Sequence, residues 1–85
     1  MFDKLKQLSQ IREIQKSLEK ETAEAEKDGI KVVLNGKMEI EKVVLNTSLP
    51  IEKQEFLIKD CHNEAIKEIQ IILAKKMQNF PGLGI

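Results

Sequence analysis

Cys61 and His62 are the only cysteine and histidine in the chain, and they are neighbours. A thiol and an imidazole can act as nucleophile and base, but adjacent side chains on a helix diverge by about 100° and cannot face each other. One cysteine also excludes an intrachain disulfide and a cysteine-based zinc site. Cys61 therefore reads as a small core residue, and His62 as the margin of an apolar stripe. Glu39 and Glu41 alternate, so on a strand they share a face. With no nucleophile or metal partner beside them, they read as the solvated side of a sheet. Gly29 and Gly36 punctuate the chain and Gly82 and Gly84 lie near its end; none belongs to a phosphate-cradling loop. The expectation is no enzyme, no catalytic or metal-binding residue, no cofactor and no small-molecule substrate.

Arg12, Lys16 and Lys20 are spaced four apart, so on a helix their side chains stack along one face. Such a stripe can meet phosphates, with Ser9 and Gln15 adding hydrogen bonds. It is also the pattern of a solvated helix flank, with Glu13, Glu19 and Glu24 interleaved, and the spacing alone favours that plainer reading. Overall charge counts against a strongly basic DNA-coating protein, because 14 basic residues balance 14 acidic ones. Its distribution is uneven: Lys4, Lys6, Arg12, Lys16 and Lys20 face only Asp3, Glu13 and Glu19 in the first twenty positions. Lys75-Lys76 form a second basic site. Three phenylalanines and no tryptophan or tyrosine argue against base stacking of the single-strand-binding kind. There is no helix-turn-helix or zinc-finger pattern to read bases.

A chain of 85 residues fits one small α+β domain over 1–85, and its limited core makes pairing with a second copy an expected source of stability. Met1-Phe2-Asp3-Lys4 leads directly into charged sequence, without an apolar signal core or a membrane-spanning run, which reads as a soluble cytoplasmic protein. From Phe2 to Lys27, good helix formers carry Phe2, Leu5, Leu8, Ile11, Ile14 and Leu18 at three- and four-residue steps. The stripe drifts, so the two halves of this helix are expected to pack on different surfaces, and Asp28-Gly29 supplies the stop. Ile30 to Leu34 forms a strand, and Asn35-Gly36 signals a tight hairpin. The return strand spans Lys37 to Leu45, with a bulge or a break into a third strand near Lys42. Asn46-Thr47-Ser48-Leu49-Pro50 is a turn cluster before a second long helix, from Ile51 or Glu52 to Gln78.

In that helix Ile58, Cys61, Ala65, Ile69 and Ile72 form the main stripe, widened by Leu57, Ile66 and Leu73. Phe56, Ile71 and Ala74 fall outside it, and such an apolar set among charges suits a dimer interface. Residues 79–85 cannot continue the helix and read as a flexible tail.

The segments Ile30-Lys31-Val32-Val33-Leu34-Asn35-Gly36-Lys37 and Ile40-Glu41-Lys42-Val43-Val44-Leu45, with the connector Ser48-Leu49, resemble the YbaB/EbfC family. Cys61-His62-Asn63-Glu64-Ala65 is similar to that family's small-x-Asn-acid-Ala segment, and Phe80-Pro81-Gly82-Leu83 to its Pro-Gly-Leu tail. With the Lys/Gln/Glu-rich first helix, the resemblance spans essentially the whole chain. It implies an α-β-α protomer, a tight homodimer, and helices that grip double-stranded DNA like tweezers in the bacterial nucleoid. Many members open with a Gly/Met-rich segment and end with a longer tail, so contacts from those extensions are expected to be reduced here. Under the resemblance Arg12, Lys16 and Lys20, joined by Lys4, Lys6, Lys75 and Lys76, become phosphate contacts, and Phe56, Ile71 and Ala74 the dimer interface. The alternative is a dimeric protein-interaction module that does not touch DNA.

Overall fold

The computed structural model describes residues 2–78, with side chains from Lys6 onward. The order is α1 (Phe2–Glu19), β1 (Thr22–Lys27), β2 (Ile30–Asn35), β3 (Ile40–Val44) and α2 (Ile51–Gln78). The strands form one antiparallel sheet in the order β1-β2-β3, and α2 lies across β1 and β2. This is the expected α+β class with a three-stranded meander between two helices. The expected tail, residues 79–85, lies outside the described residues.

The helix expected to reach Lys27 ends at Glu19, and Thr22-Ala23-Glu24-Ala25-Glu26-Lys27 is a strand. Ala, Glu and Lys are good helix formers, but the segment also alternates, and tertiary context overrides propensity. Ala23 and Ala25 turn inward and are buried, while Thr22, Glu24 and Glu26 face out. Ala23 lies opposite Leu34 and Ala25 opposite Val32, and the small inward side chains let α2 approach the sheet closely. Asp28-Gly29 is accordingly not a helix stop but the two-residue turn of the β1–β2 hairpin. Asp28 at φ 51° and Gly29 at φ 84° supply the two positive dihedrals that a type I′ turn requires. The Asn46 side-chain amide donates to the Asp28 carbonyl at 2.8 Å and ties this turn to the connector before α2.

The Asn35-Gly36 turn also differs from expectation. The amide of Met38 donates to the Asn35 carbonyl at 2.9 Å, and that of Asn35 to the Glu39 carbonyl at 3.0 Å. Met38, not Gly36, takes the positive φ, at 66°. This is a three-residue loop, a turn closed by a left-handed residue. Asn35 holds it through its side-chain oxygen, which accepts from the amides of Lys37 and Glu39 at 2.8 and 3.1 Å. The expected bulge is present beside Lys42: Lys42 pairs with Val33 and Ile40 with Leu34, leaving Glu41 as the extra residue.

The core joins Ala25, Ile30, Val32 and Leu34 to Leu57, Cys61 and Ala65, flanked by Leu49, Ile58 and Ile66. Burying an aliphatic side chain of this size contributes about 1.5–3 kcal/mol over leaving it exposed. The expected α2 stripe is therefore confirmed in Leu57, Cys61, Ala65 and Ile69, which are buried, and in Ile58, Ile66, Ile72 and Leu73, which are half-buried. The α1 stripe is only partly used. Ile14 and Leu18 are half-buried, whereas Leu8 and Ile11 are exposed, so the middle of α1 finds no packing surface among the described residues of the chain.

Candidate nucleic-acid interface

α1 is attached to the rest of the chain through its last turns. The carbonyl of Leu18 lies against Gly36, Lys37 reaches Glu19 at 3.9 Å, and Lys76 of α2 meets Glu21 just beyond the helix at 2.5 Å. Lys76 also donates to the Ser17 carbonyl at 3.5 Å, one of the final carbonyls that the helix leaves without an internal partner. The amide of Glu21 turns back onto the Leu18 carbonyl at 3.1 Å. Beyond this base α1 projects as an arm, in a molecule measuring 60 × 18 × 13 Å.

Lys6, Arg12, Lys16 and Lys20 are all exposed, and none forms an ion pair among the described residues. Arg12 and Lys16 stack one turn apart on α1; Lys20 follows one residue after the helix ends. The side chain of Lys4 lies outside those described. Lys75 is exposed in the last turn of α2. Lys76 is different: it is half-buried and engaged with Glu21 and Ser17. Glu21, acidic and two residues past α1, carried no signal for this partnership, because the residues are 55 positions apart.

Two acids of α2, Asp60 and Glu64, are likewise committed to structure. Lys27 continues the inward row of β1, and its ammonium meets Asp60 at 2.5 Å and Glu64 at 3.0 Å, one helical turn apart. The hydrogen bonds to Asp60 and then Glu64 hold the Lys27 pKa well above its ordinary value. On the outer face Lys31 pairs with Glu24 at 2.9 Å, which raises its pKa as well. Cys61 is fully buried, with its thiol donating to the Ile30 carbonyl at 3.6 Å, and burial pushes the thiol pKa up. A protonated, enclosed thiol is a poor nucleophile. Among the described residues no group of three or more His, Cys, Asp or Glu is placed to hold a metal ion. No described helix is long and apolar enough to cross a membrane.

Apolar side chains are uncovered on α2 and β3 as well as on α1. Phe56, Ile71 and Ala74 are exposed on α2. On β3, Val43 lies opposite Val32 and Ile40 opposite Leu34, so both turn to the side of the sheet that α2 occupies. Since α2 covers only β1 and β2, Ile40 and Val43 stay 50% and 42% exposed.

A helical arm that carries exposed cations thus stands on a small α+β body. The chain matches the YbaB/EbfC DNA-binding family over residues 1–83, and it belongs to that family. It is similar to a protein named nucleoid-associated protein from Hahella chejuensis, with 34% identity over the whole of this chain and 88% of that one. A second protein of the same name, from Caldicellulosiruptor saccharolyticus, is 36% identical over 65% of this chain and 52% of its own length. No solved structure matches the chain significantly.

Proposed function

We propose that the protein binds double-stranded DNA in the cytoplasmic nucleoid as a homodimer, largely without regard to sequence, by presenting cations on paired α1 arms to the phosphates. The observation that carries this reading is the exposed set of Arg12, Lys16 and Lys20 at the arm and its base, without ion-pair partners among the described residues, in a chain of a DNA-binding family. Lys6 and Lys75, both exposed, add to this basic set, and Lys4 is assigned to it from the sequence. The neutral overall charge is compatible with this because the first twenty positions hold five basic residues against three acidic ones, which leaves the arm locally positive. If roughly four to six phosphates are engaged by the dimer, log K falls with log salt at a slope of about −4 to −5.

The dimer is supported by the apolar surfaces on Phe56, Ile71 and Ala74 and on Ile40 and Val43, which a body this small gains by covering. An open edge at β3 is a further place for a second copy to join. The neutral charge favours one other reading, a dimeric protein-interaction module in which the same surfaces receive another protein. An electrophoretic shift of duplex DNA at two salt concentrations, with the dimer verified by light scattering, separates them. Sequence-independent shifts that weaken steeply with salt are expected; no shift at tens of micromolar protein in low salt would leave the interaction module.

A further inference from the structure

We infer that Lys76 and Glu21 form a clamp that sets the direction of the α1 arm, so that Lys76 acts on DNA binding as a positioning residue and not as a phosphate contact. This rests on the proposed role of α1 in holding the duplex. Its basis is the placement of one ammonium across three elements. Lys76 projects from the last turn of α2, donates to the Glu21 carboxylate in the α1–β1 link, and donates to the Ser17 carbonyl at the end of α1. The ion pair is half-buried: its two side chains are 31% and 30% exposed, against 55% and 43% for the looser Lys37–Glu19 contact. A cation placed at a helix C-terminus is also favoured by the helix dipole.

The leverage comes from the rest of the attachment. Leu8 and Ile11 are exposed, so α1 is steered from its base and not along its length. A small rotation at Ser17–Glu21 is carried out to Arg12 and Lys6. Two of the three Lys76 N–H donors are engaged by Glu21 and Ser17, so a phosphate would compete with the Glu21 carboxylate for the same ammonium. The two roles therefore make opposite predictions for Glu21.

Four proteins decide the matter: wild type, E21Q, K76E and the charge swap E21K/K76E. Duplex affinity across a salt series and 15N order parameters of the α1 amides from Leu8 to Lys16 in the DNA-free protein are measured on each. The clamp predicts that E21Q weakens binding by about 3- to 10-fold, since two clamps break per dimer, with the salt slope unchanged. K76E weakens it likewise, and the swap restores both affinity and arm order. If Lys76 were a phosphate contact, E21Q would strengthen binding by removing an acid and freeing the lysine, and K76E would reduce the slope by about 2 per dimer. Either result would overturn the inference. Arm order that falls in E21Q and returns in the swap supports the clamp even if wild type fails to shift DNA, which would then overturn only the binding reading. Arm order unchanged in E21Q and K76E overturns the clamp irrespective of DNA.

Discussion

Gly36 lies so close to Leu18 that a Cβ built on it would stand 1.8 Å from the Leu18 carbonyl oxygen and 2.6 Å from its carbon. The β2–β3 loop therefore forms the seat on which the end of α1 rests, and the seat exists because residue 36 has no side chain. Gly36 is not among the positive-φ residues, so the requirement is for space and not for an unusual backbone conformation.

Gly36→Ala should accordingly leave the turn intact and displace α1. Its cost is about 1–3 kcal/mol, the range for forcing extra atoms into a packed contact. The expected result is a lower thermal midpoint with new amide chemical shifts at Ser17 to Glu21 and few changes in the core strand β2. A variant with wild-type stability and unshifted α1 amides would show that the contact yields without consequence.

Charge reversal of Arg12, Lys16 and Lys20 to glutamate should weaken duplex binding by roughly 100-fold or more at low salt and flatten the salt slope toward zero. The side chains are exposed, so the thermal midpoint should stay nearly constant. Titration of labelled duplex by fluorescence anisotropy, beside a melting curve, checks both parts. Unchanged affinity would remove the α1 stripe as the contact surface.

The Lys27 pair makes a prediction about pH. Its pKa is raised above the ordinary 10.5 by Asp60 and Glu64, so the folded state holds this proton more tightly than the unfolded one. The resulting stability is fully present below the unfolded value and is lost as pH rises through that value toward the folded one. Wild type should thus have a higher urea midpoint than Lys27→Met at about pH 7, with the gap narrowing as pH rises above the ordinary lysine value of 10.5. A gap that does not narrow above that pH would mean that the side chain acts through packing alone.

Cys61 should resist thiol reagents in the native protein and react at once in denaturant. Its burial and its raised pKa leave neither access nor thiolate, so modification proceeds only through opening of the α2–sheet contact. Labelling rates with a chromogenic disulfide across a urea series should follow the unfolded fraction. Rapid labelling without urea would show that α2 lifts from the sheet under native conditions.

The local signals in the chain were enough to place α2, β2, the turn cluster and the bulge. Each is written into a short window: a 3.6-residue apolar period, a β-branched run, turn residues, or a break in alternation. The exposed cations of α1 were legible for the same reason, since spacing alone sets which side chains share a helix face. Thr22–Lys27 was not legible. Its residue types favour a helix, and only the pairing of Ala23 and Ala25 with Leu34 and Val32, under α2, makes the strand the better state. That shift also changed the role of Asp28-Gly29 from stop to hairpin. Lys76 shows the same division within the candidate site. Its charge was plain from its type, but whether that charge faces solvent or Glu21 depends on residues 55 positions apart meeting in space. The sequence by itself determined the periodicities and the charges; tertiary structure alone decided which of those charges are spent within the fold, because an ion pair is a property of two places and not of one.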